Sequence, residues 1–173
     1  NYIISYRDDF STQEMTMTTT ENNATIQNLS SATTYYIKVK GVCGGAESIV
    51  SQEITVTTQI EVATLPYSCN FEGQGTNGWL IKNGTCTNKW WVGDVNSSTN
   101  SALFVTGDNG ITSAYDNMYS SVVIAEKQIQ LGQTDSIRIS FDLKVGGLDY
   151  SDYLKVFFVP VSTNFEPATY TNN

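Results

Sequence analysis

The sequence predicts an all-β protein, and three observations lead to this prediction. Short runs in which apolar and polar residues alternate recur along the chain, as in YYIKVKGV at 35–42 and SIRISFDLK at 136–144. Clusters of Gly, Asn, Asp and Ser separate these runs, and no segment keeps an apolar helical period for three turns. Regularly spaced short strands joined by polar turns are typical of β-sandwiches and β-barrels.

The alternation also predicts which side chains share a face. In YYIKVKGV it places Tyr35, Ile37 and Val39 on one side, as in an antiparallel strand with one face in solvent. SIRISFDLK alternates in the same way, whereas DYLKVFFVPV at 152–161 is apolar on both faces and is expected to be a covered central strand that ends near Pro160. The remaining predicted strands are NYIISYR, SQEITVTT, ALFVTG and SSVVIAEKQIQL.

Composition excludes several classes of function. The chain has 173 residues, a formal net charge of −8 and no histidine, which suits one large or two small domains. Binding to a phosphate backbone needs clustered Lys and Arg, so we expect no nucleic-acid partner. No apolar run approaches the ~18 residues of a membrane span, so we expect no membrane insertion by this segment. The abundance of Thr, Ser, Asn and Gly favours an extracellular or cell-surface location.

The first 58 residues contain a more specific pattern. In LSSATTYYIKVKGV, Leu29 ends one predicted strand and Tyr35 begins the next. This segment resembles a fibronectin type III domain, in which such a tyrosine returns its hydroxyl to the backbone of the preceding corner. The resemblance makes NYIISYR, ATIQNL at 24–29 and SQEITVTT strands of that immunoglobulin-like sandwich. Its first two strands have no counterpart here, so we expect residues 1–58 to be the C-terminal part of such a domain in a longer polypeptide.

A proline-containing stretch, TTQIEVATLPYS, follows, and we predict a linker at 59–64. From Leu65 onward the motifs LPYSCNFE, NGTCTNKWWVG, SALFVTGDNG, ISFDLKVGG and YSDYLKVFFVP are similar, in that order, to the cleaved-adhesin and MAM-like modules of secreted bacterial surface proteins. The resemblance implies a jelly-roll β-sandwich at 65–173 that is incomplete at its C-terminal end. In such proteins these modules follow fibronectin type III modules, which is the order found here.

The stretch SCNFEGQGTNGW raises two chemical questions. Gly73 to Gly78 formally satisfy the dinucleotide-binding pattern G-x-G-x-x-G, but that pattern needs a helix after it, and WLIKNGT reads as a strand running into a turn. The glycines are therefore interpreted as a loop. Cys69 and Cys86 bracket this loop, and we expect a disulfide between them, which would stabilise the fold by roughly 3 kcal/mol. The alternative is two buried thiols, and Cys43 is left without an assigned partner.

Three carboxylates are candidate metal ligands. Glu72, Asp108 and Asp142 supply the oxygen atoms that calcium prefers. The resemblance to calcium-holding jelly rolls implies Glu72 first and Asp142 second in a structural calcium site. Asp108 lies in Asp-Asn-Gly, which is also an ordinary turn sequence, and the alternative for all three is a solvated carboxylate. Zinc is excluded because three dispersed cysteines without histidine cannot build a tetrahedral site.

Aromatic residues are the candidate ligand-binding surface. Trp90 and Trp91 are adjacent, so in a strand one points inward and the other outward. The outward ring, together with Tyr150 or Tyr153, is a candidate platform for a sugar. The alternative is that a neighbouring loop or module covers it.

The sequence predicts a non-catalytic role. Without histidine the usual Ser/His and Cys/His nucleophile pairs cannot form within the chain, and no carboxylate pair is identifiable as an acid and a base. We expect an extracellular module pair of a larger secreted or cell-surface bacterial protein that acts in adhesion by binding a glycan or a protein. The alternatives are an architectural spacer or subunit of a surface complex, and an accessory region of a secreted hydrolase.

Overall fold

A computed structural model describes residues 1–73, 75–95, 100–133, 136–147 and 152–171. Within these ranges the regular structure is all-β and contains no α-helix, which confirms the predicted fold class. The strands are β1 (Tyr2–Asp8), β2 (Met15–Thr19), β3 (Thr34–Cys43), β4 (Ala46–Glu47), β5 (Ile54–Thr57), β6 (Ala63–Thr64), β7 (Leu80–Lys82), β8 (Lys89–Asp94), β9 (Ser101–Thr106), β10 (Tyr119–Val122), β11 (Ile124–Glu126), β12 (Ile129–Gln130) and β13 (Ala168–Thr171). No helix in these ranges is long and apolar enough to cross a membrane.

The first half of the chain forms one antiparallel sheet. Its strand order is β2-β1-β3-β4, and β5 also pairs with β3. The long strand β3 is the centre of the sheet because it pairs with β1 on one side and with β5 on the other. The predicted strands at NYIISYR, YYIKVKGV and SQEITVTT are thus confirmed as β1, β3 and β5, whereas residues 24–29 contain no strand.

The register of this sheet separates an apolar face from a polar one. Directly opposed residues of an antiparallel pair lie on the same face, and Ile4 pairs with Met17 on β2 and with Val39 on β3. Ile37 pairs in turn with Ile54 on β5. The full apolar face comprises Tyr2, Ile4, Tyr6, Met15, Met17, Tyr35, Ile37, Val39, Ile54 and Val56. The opposite face carries charged and hydroxyl side chains, including the Lys38–Glu14 ion pair.

The apolar face is only partly covered. Ile4 and Tyr35 are buried, but Ile54 and Val56 at the β5 edge are exposed. The expected covering strand at 24–29 pairs with nothing among the described residues, although Ile26 and Leu29 are half-buried. One layer of the predicted sandwich is therefore well formed, and its inner surface remains accessible along one edge.

The second half consists of paired strands rather than one continuous sheet. β8 and β9 form the longest ribbon, β7 pairs with β11, β10 with β13, and β6 runs parallel to β12. Val92, Phe104 and Thr106 are buried around the β8–β9 ribbon. Since β6 lies within the predicted linker and pairs with β12, the end of that linker is integrated into the second half. The jelly-roll architecture and the boundaries at 58 and 65 stay predictions.

Two predicted strands are wrong in the part of the chain that the structure describes. Residues 136–147 and 152–161, here called the two apolar runs, contain no strand. The large apolar side chains within the two apolar runs are 39–77% exposed, so the run at 152–161 is not a covered central strand. Alternation indicates an amphipathic segment, but a strand also needs a neighbouring strand to pair with, and the described residues provide none for either run.

Candidate functional site at the junction of the two halves

The side chains of Tyr35 and Thr58 hold the corner before β3 through hydrogen bonds to its backbone. The backbone N–H of Ser30 donates to the Tyr35 hydroxyl at 2.9 Å, and Tyr35 is buried. Thr58 donates through its hydroxyl to the Ser30 carbonyl at 2.6 Å and accepts the Thr33 N–H at 3.0 Å. Residues 28–33, called the corner below, are thus fixed from both sides, as the predicted tyrosine contact requires.

The glycine loop, residues 73–79 without Gln74, lies against this corner. A Cβ at Gly75 would lie 2.7 Å from the Ser30 hydroxyl oxygen, and one at Gly78 would lie 3.1 Å from that of Ser31. Both glycines have positive φ, 58° and 74°, where glycine is preferred. The loop continues into β7 and not into a helix. Its glycines therefore serve close backbone packing and a left-handed turn, and the nucleotide-binding pattern has no structural basis.

A polar cleft of about 500 Å³ lies where the loop meets the corner. The Glu61 carboxylate and the two serine side chains contribute hydrogen-bonding groups to it. The Asn77 side-chain oxygen accepts the Gly73 N–H at 3.0 Å, whereas the Asn77 amide nitrogen is buried and has no hydrogen-bond partner among the described residues. The lining residues are Asn28, Leu29, Ser30, Ser31, Glu61, Asn77 and Gly78.

A second contact joins the halves through aromatic rings. Phe10, in the turn after β1, packs edge-on against Trp91 of β8 with ring centroids 5.0 Å apart and an interplanar angle of 68°. On the other side, the indole of Trp91 lies so close to Gly110 that a Cβ there would collide with it. Trp91 is therefore enclosed between a residue of the first half and the backbone of its own half.

The comparisons with known proteins bear on the first half alone. Residues 1–57 match the family model of the fibronectin type III domain. The match supports a fibronectin type III module there, and the Tyr35–Ser30 hydrogen bond is the feature of that fold seen most directly in this chain. No curated protein matches the sequence, and no solved structure matches the chain. The cleaved-adhesin or MAM-like resemblance of the second half thus stays a prediction.

The three predicted calcium ligands lie in different surroundings. Glu72 accepts the backbone N–H of Ser101 at 2.8 Å, and the Ser101 hydroxyl donates to Asp94 at 2.8 Å. Both Asp108 oxygens accept hydrogen bonds from Thr112 and one also from Thr106. In the described ranges no group of three or more His, Cys, Asp or Glu side chains could hold a metal ion. The residues present there do not make a fitting ligand set, and calcium binding stays a prediction.

The turn interpretation of Asp108 has clear support. The hydrogen bond from the Thr106 hydroxyl, followed in importance by those from the Thr112 backbone and hydroxyl, lowers the pKa of this carboxyl from 3.8 to about 2. Thr106 is fully buried, so the network joins the end of β9 to the following loop. Asp142, in contrast, is exposed within the first apolar run.

The tryptophans of the predicted aromatic platform are partly covered, and sugar binding there stays a prediction. Trp90 donates its indole N–H to the Val123 carbonyl at 3.0 Å, and Trp91 contacts Phe10. Both rings are half-buried, which agrees with the alternative that a neighbouring loop or module covers the outward one. Tyr153 is 67% exposed and lies beneath the Lys155 ammonium group. Tyr150 lies outside the described residues.

The predicted disulfide is not formed, because Cys43, Cys69 and Cys86 are all free thiols. The Cys86 thiol is buried, donates to the Ala168 carbonyl at 3.4 Å and accepts the Thr169 hydroxyl at 3.2 Å. These contacts direct it toward β13. Cys69 lies beside Tyr67. The pKa of Tyr67 is raised to about 12, mainly because the tyrosine is partly buried and secondly because the Cys69 thiol is near its hydroxyl. For Cys86 the alternative of a buried thiol is therefore the one observed.

Several residues of the junction escaped the sequence interpretation. Phe10 belongs to no quoted motif, and Ser30, Ser31 and Glu61 lie in the quoted corner and linker segments without being singled out, because each acts through a contact with a distant part of the chain. The glycines of the loop carried the one usable signal, since a glycine cluster marks close approach of a backbone as readily as a turn. The partner of that approach could not be read from the loop itself.

Proposed function

We propose that this chain is a non-catalytic extracellular interaction module of a larger secreted or cell-surface protein, and that the two apolar runs are its protein-binding surface. The supporting observation is the exposure of large apolar side chains in both runs, among them Phe141, Phe157 and Phe158 at 56–60%. Monomeric proteins rarely expose contiguous apolar patches of this kind unless they bind something. The fibronectin type III match agrees with this proposal, because such domains are commonly non-catalytic extracellular modules.

A protein partner suits these runs better than a sugar. Sugar sites present polar groups beside an aromatic ring, whereas the runs present aliphatic and phenyl groups in series, as the cores of protein interfaces do. Burying such a surface releases about 25 cal/mol for each Å² of apolar area removed from water. The partner is therefore a neighbouring domain or a subunit of a surface complex, which is the architectural alternative drawn from the sequence.

The test replaces exposed apolar residues within and outside the runs. We expect the wild-type chain to bind the dye ANS and to self-associate with rising concentration in sedimentation velocity experiments. Phe141→Ser and Phe158→Ser should reduce both signals because they remove apolar area from the surface. Ile49→Ser is the matched control, since Ile49 is 94% exposed but lies in the first half, and it should change neither signal.

Two results would count against the proposal. One is a wild-type chain that neither binds ANS nor associates at any concentration. The other is an Ile49→Ser effect as large as that of the phenylalanine variants. A glycan-array signal that disappears in Glu61→Gln would instead assign recognition to the polar cleft, and would favour the glycan-binding form of the adhesion hypothesis.

A further inference from the structure

The contacts between the two halves belong to one continuous surface. The Asp9 N–H donates to the Thr34 carbonyl at 3.1 Å, so the turn that carries Phe10 is tied to the start of β3. The corner, with Ser30 and Ser31, directly precedes that strand. Both inter-half contacts therefore use the same end of the first sheet.

On the second half, two separate elements meet this surface. The glycine loop reaches Ser30 and Ser31 at distances that leave no room for a Cβ at Gly75. Trp91, on β8, contacts Phe10 in a T-shaped arrangement of the two rings. Two contacts on different elements restrict relative rotation far more than one contact at a flexible linker would. The linker is itself held, because Ala63 donates its N–H to the Gln128 carbonyl at 3.0 Å.

We propose that these residues form a docking surface that locks the fibronectin type III segment and the second half into one unit, with Trp91 as its anchor. The surface consists of Phe10, Ser30 and Ser31 on one side and Gly75, Gly78 and Trp91 on the other. Trp91 thus binds a partner within its own chain, and Phe10 covers one side of its ring. This inference does not depend on what the apolar runs bind.

Tryptophan fluorescence tests the anchor directly, because all three tryptophans lie in the second half. Phe10→Ala uncovers one side of Trp91, so we expect a red shift of the emission maximum. In a Trp91→Phe background the same change should leave the spectrum of Trp79 and Trp90 unaltered. No shift in the wild-type background, or an equal shift in both backgrounds, would overturn the assignment of Trp91 as the anchor.

A double-mutant cycle tests the energetic coupling. We expect Phe10→Ala and Trp91→Ala to be non-additive by roughly 2- to 12-fold in the unfolding equilibrium constant, the range measured for aromatic pairs. Phe157→Ala, which removes a ring stacked on Phe165, is the control and should combine additively with Trp91→Ala. If a truncation prevents folding, Phe10→Leu and Trp91→Phe provide the same cycle with apolar volume retained. Additivity of the Phe10–Trp91 pair overturns the proposal.

The lock also predicts a single unfolding event. Tryptophan emission reports the second half, and the amide resonances of β1 and β3 report the first. In urea the two probes should give the same midpoint for the wild-type chain and different midpoints for Trp91→Ala. Different midpoints in the wild-type chain would show that the halves unfold independently and would refute the lock.

Discussion

Asp108 shows how a single carboxylate can organise a loop. Its two oxygens accept hydrogen bonds from the hydroxyls of Thr106 and Thr112 and from the Thr112 backbone, all within four residues of Asp108. An ionised acceptor makes stronger hydrogen bonds than a neutral one. The charge is therefore part of the loop structure, and its removal by acid has a predictable effect.

The folded-state pKa of Asp108 lies below its ordinary value, at about 2 against 3.8. Its stabilising contribution is thus complete above pH 4 and is lost as the pH falls through 2. We expect Asp108→Asn to remove this part of the acid dependence, as measured by urea unfolding midpoints from neutral to acidic pH. Asp142→Asn, at an exposed carboxylate outside the network, is the control. A wild-type acid profile in Asp108→Asn would show that the network does not stabilise the fold.

At this scale the sequence predicted local roles better than distant ones. The turn at Asp108 follows from Asp-Asn-Gly, a pattern whose consequences are confined to neighbouring residues. The environment of Trp91 depends on Phe10, which is far away in the chain. The environment of Cys86 likewise depends on the distant residue Thr169. No local pattern identifies such partners, which is why the sequence indicated neither the contact of Trp91 with Phe10 nor that of the Cys86 thiol with Thr169.

The first sheet is the element whose energetics follow most directly from its register. Its apolar face contains equivalent isoleucines in unequal surroundings, because Ile4 is 9% exposed in the middle of the sheet and Ile54 is 57% exposed at the edge. Burial, and not residue type, decides what each contributes. A comparison of Ile4 with Ile54 therefore shows how much of the apolar face of the first sheet is covered.

Replacing each isoleucine by alanine separates the two cases. We expect Ile4→Ala to lower the free energy of unfolding by about 2–4 kcal/mol, because truncation of a buried isoleucine loses transfer energy and leaves a cavity. Ile54→Ala should cost less than about 1 kcal/mol, since most of its surface is already in water. Urea denaturation provides both values. Equal losses would mean that the β5 edge is covered in solution, for example by self-association.

Strand prediction succeeded where a pairing strand exists, whether it is near in sequence, as for β1, or distant, as for β10, β11 and β12, which overlap the predicted run SSVVIAEKQIQL. β1, β3, β5 and β9 coincide with alternating runs, and each pairs with a strand close to it along the chain. The apolar runs have the same alternation but no pairing partner among the residues that the structure describes. Periodicity therefore predicted which side chains share a face, whereas the existence of a strand depended on contacts that periodicity does not contain.

For the whole molecule, the glycine loop is the most informative place to perturb. Gly75 and Gly44 have nearly the same φ, 58° and 56°, but a Cβ at Gly44 meets nothing within 4 Å, whereas one at Gly75 meets Ser30. The two positions share the backbone strain of a left-handed alanine and differ in the close approach between the halves. They form a matched pair.

We expect Gly44→Ala to cost about 1–2 kcal/mol, the ordinary penalty of a left-handed L-residue. Gly75→Ala should cost more than this, because the new methyl group collides with Ser30 and displaces the loop from the corner. The comparison is made by urea unfolding of both variants followed by tryptophan emission. If the two variants lose equal stability, the loop does not pack on the corner in solution.

The hydrogen bonds that close the second half join residues widely separated in sequence, such as Cys86 with Ala168 and the strands β10 and β13. Closing long loops slows folding, whereas the hairpins of the first sheet need short closures only. During synthesis the first sheet can thus assemble while the second half is still emerging from the ribosome. The second half must wait for Ala168 to appear, and until then its unpaired strands are open to aggregation.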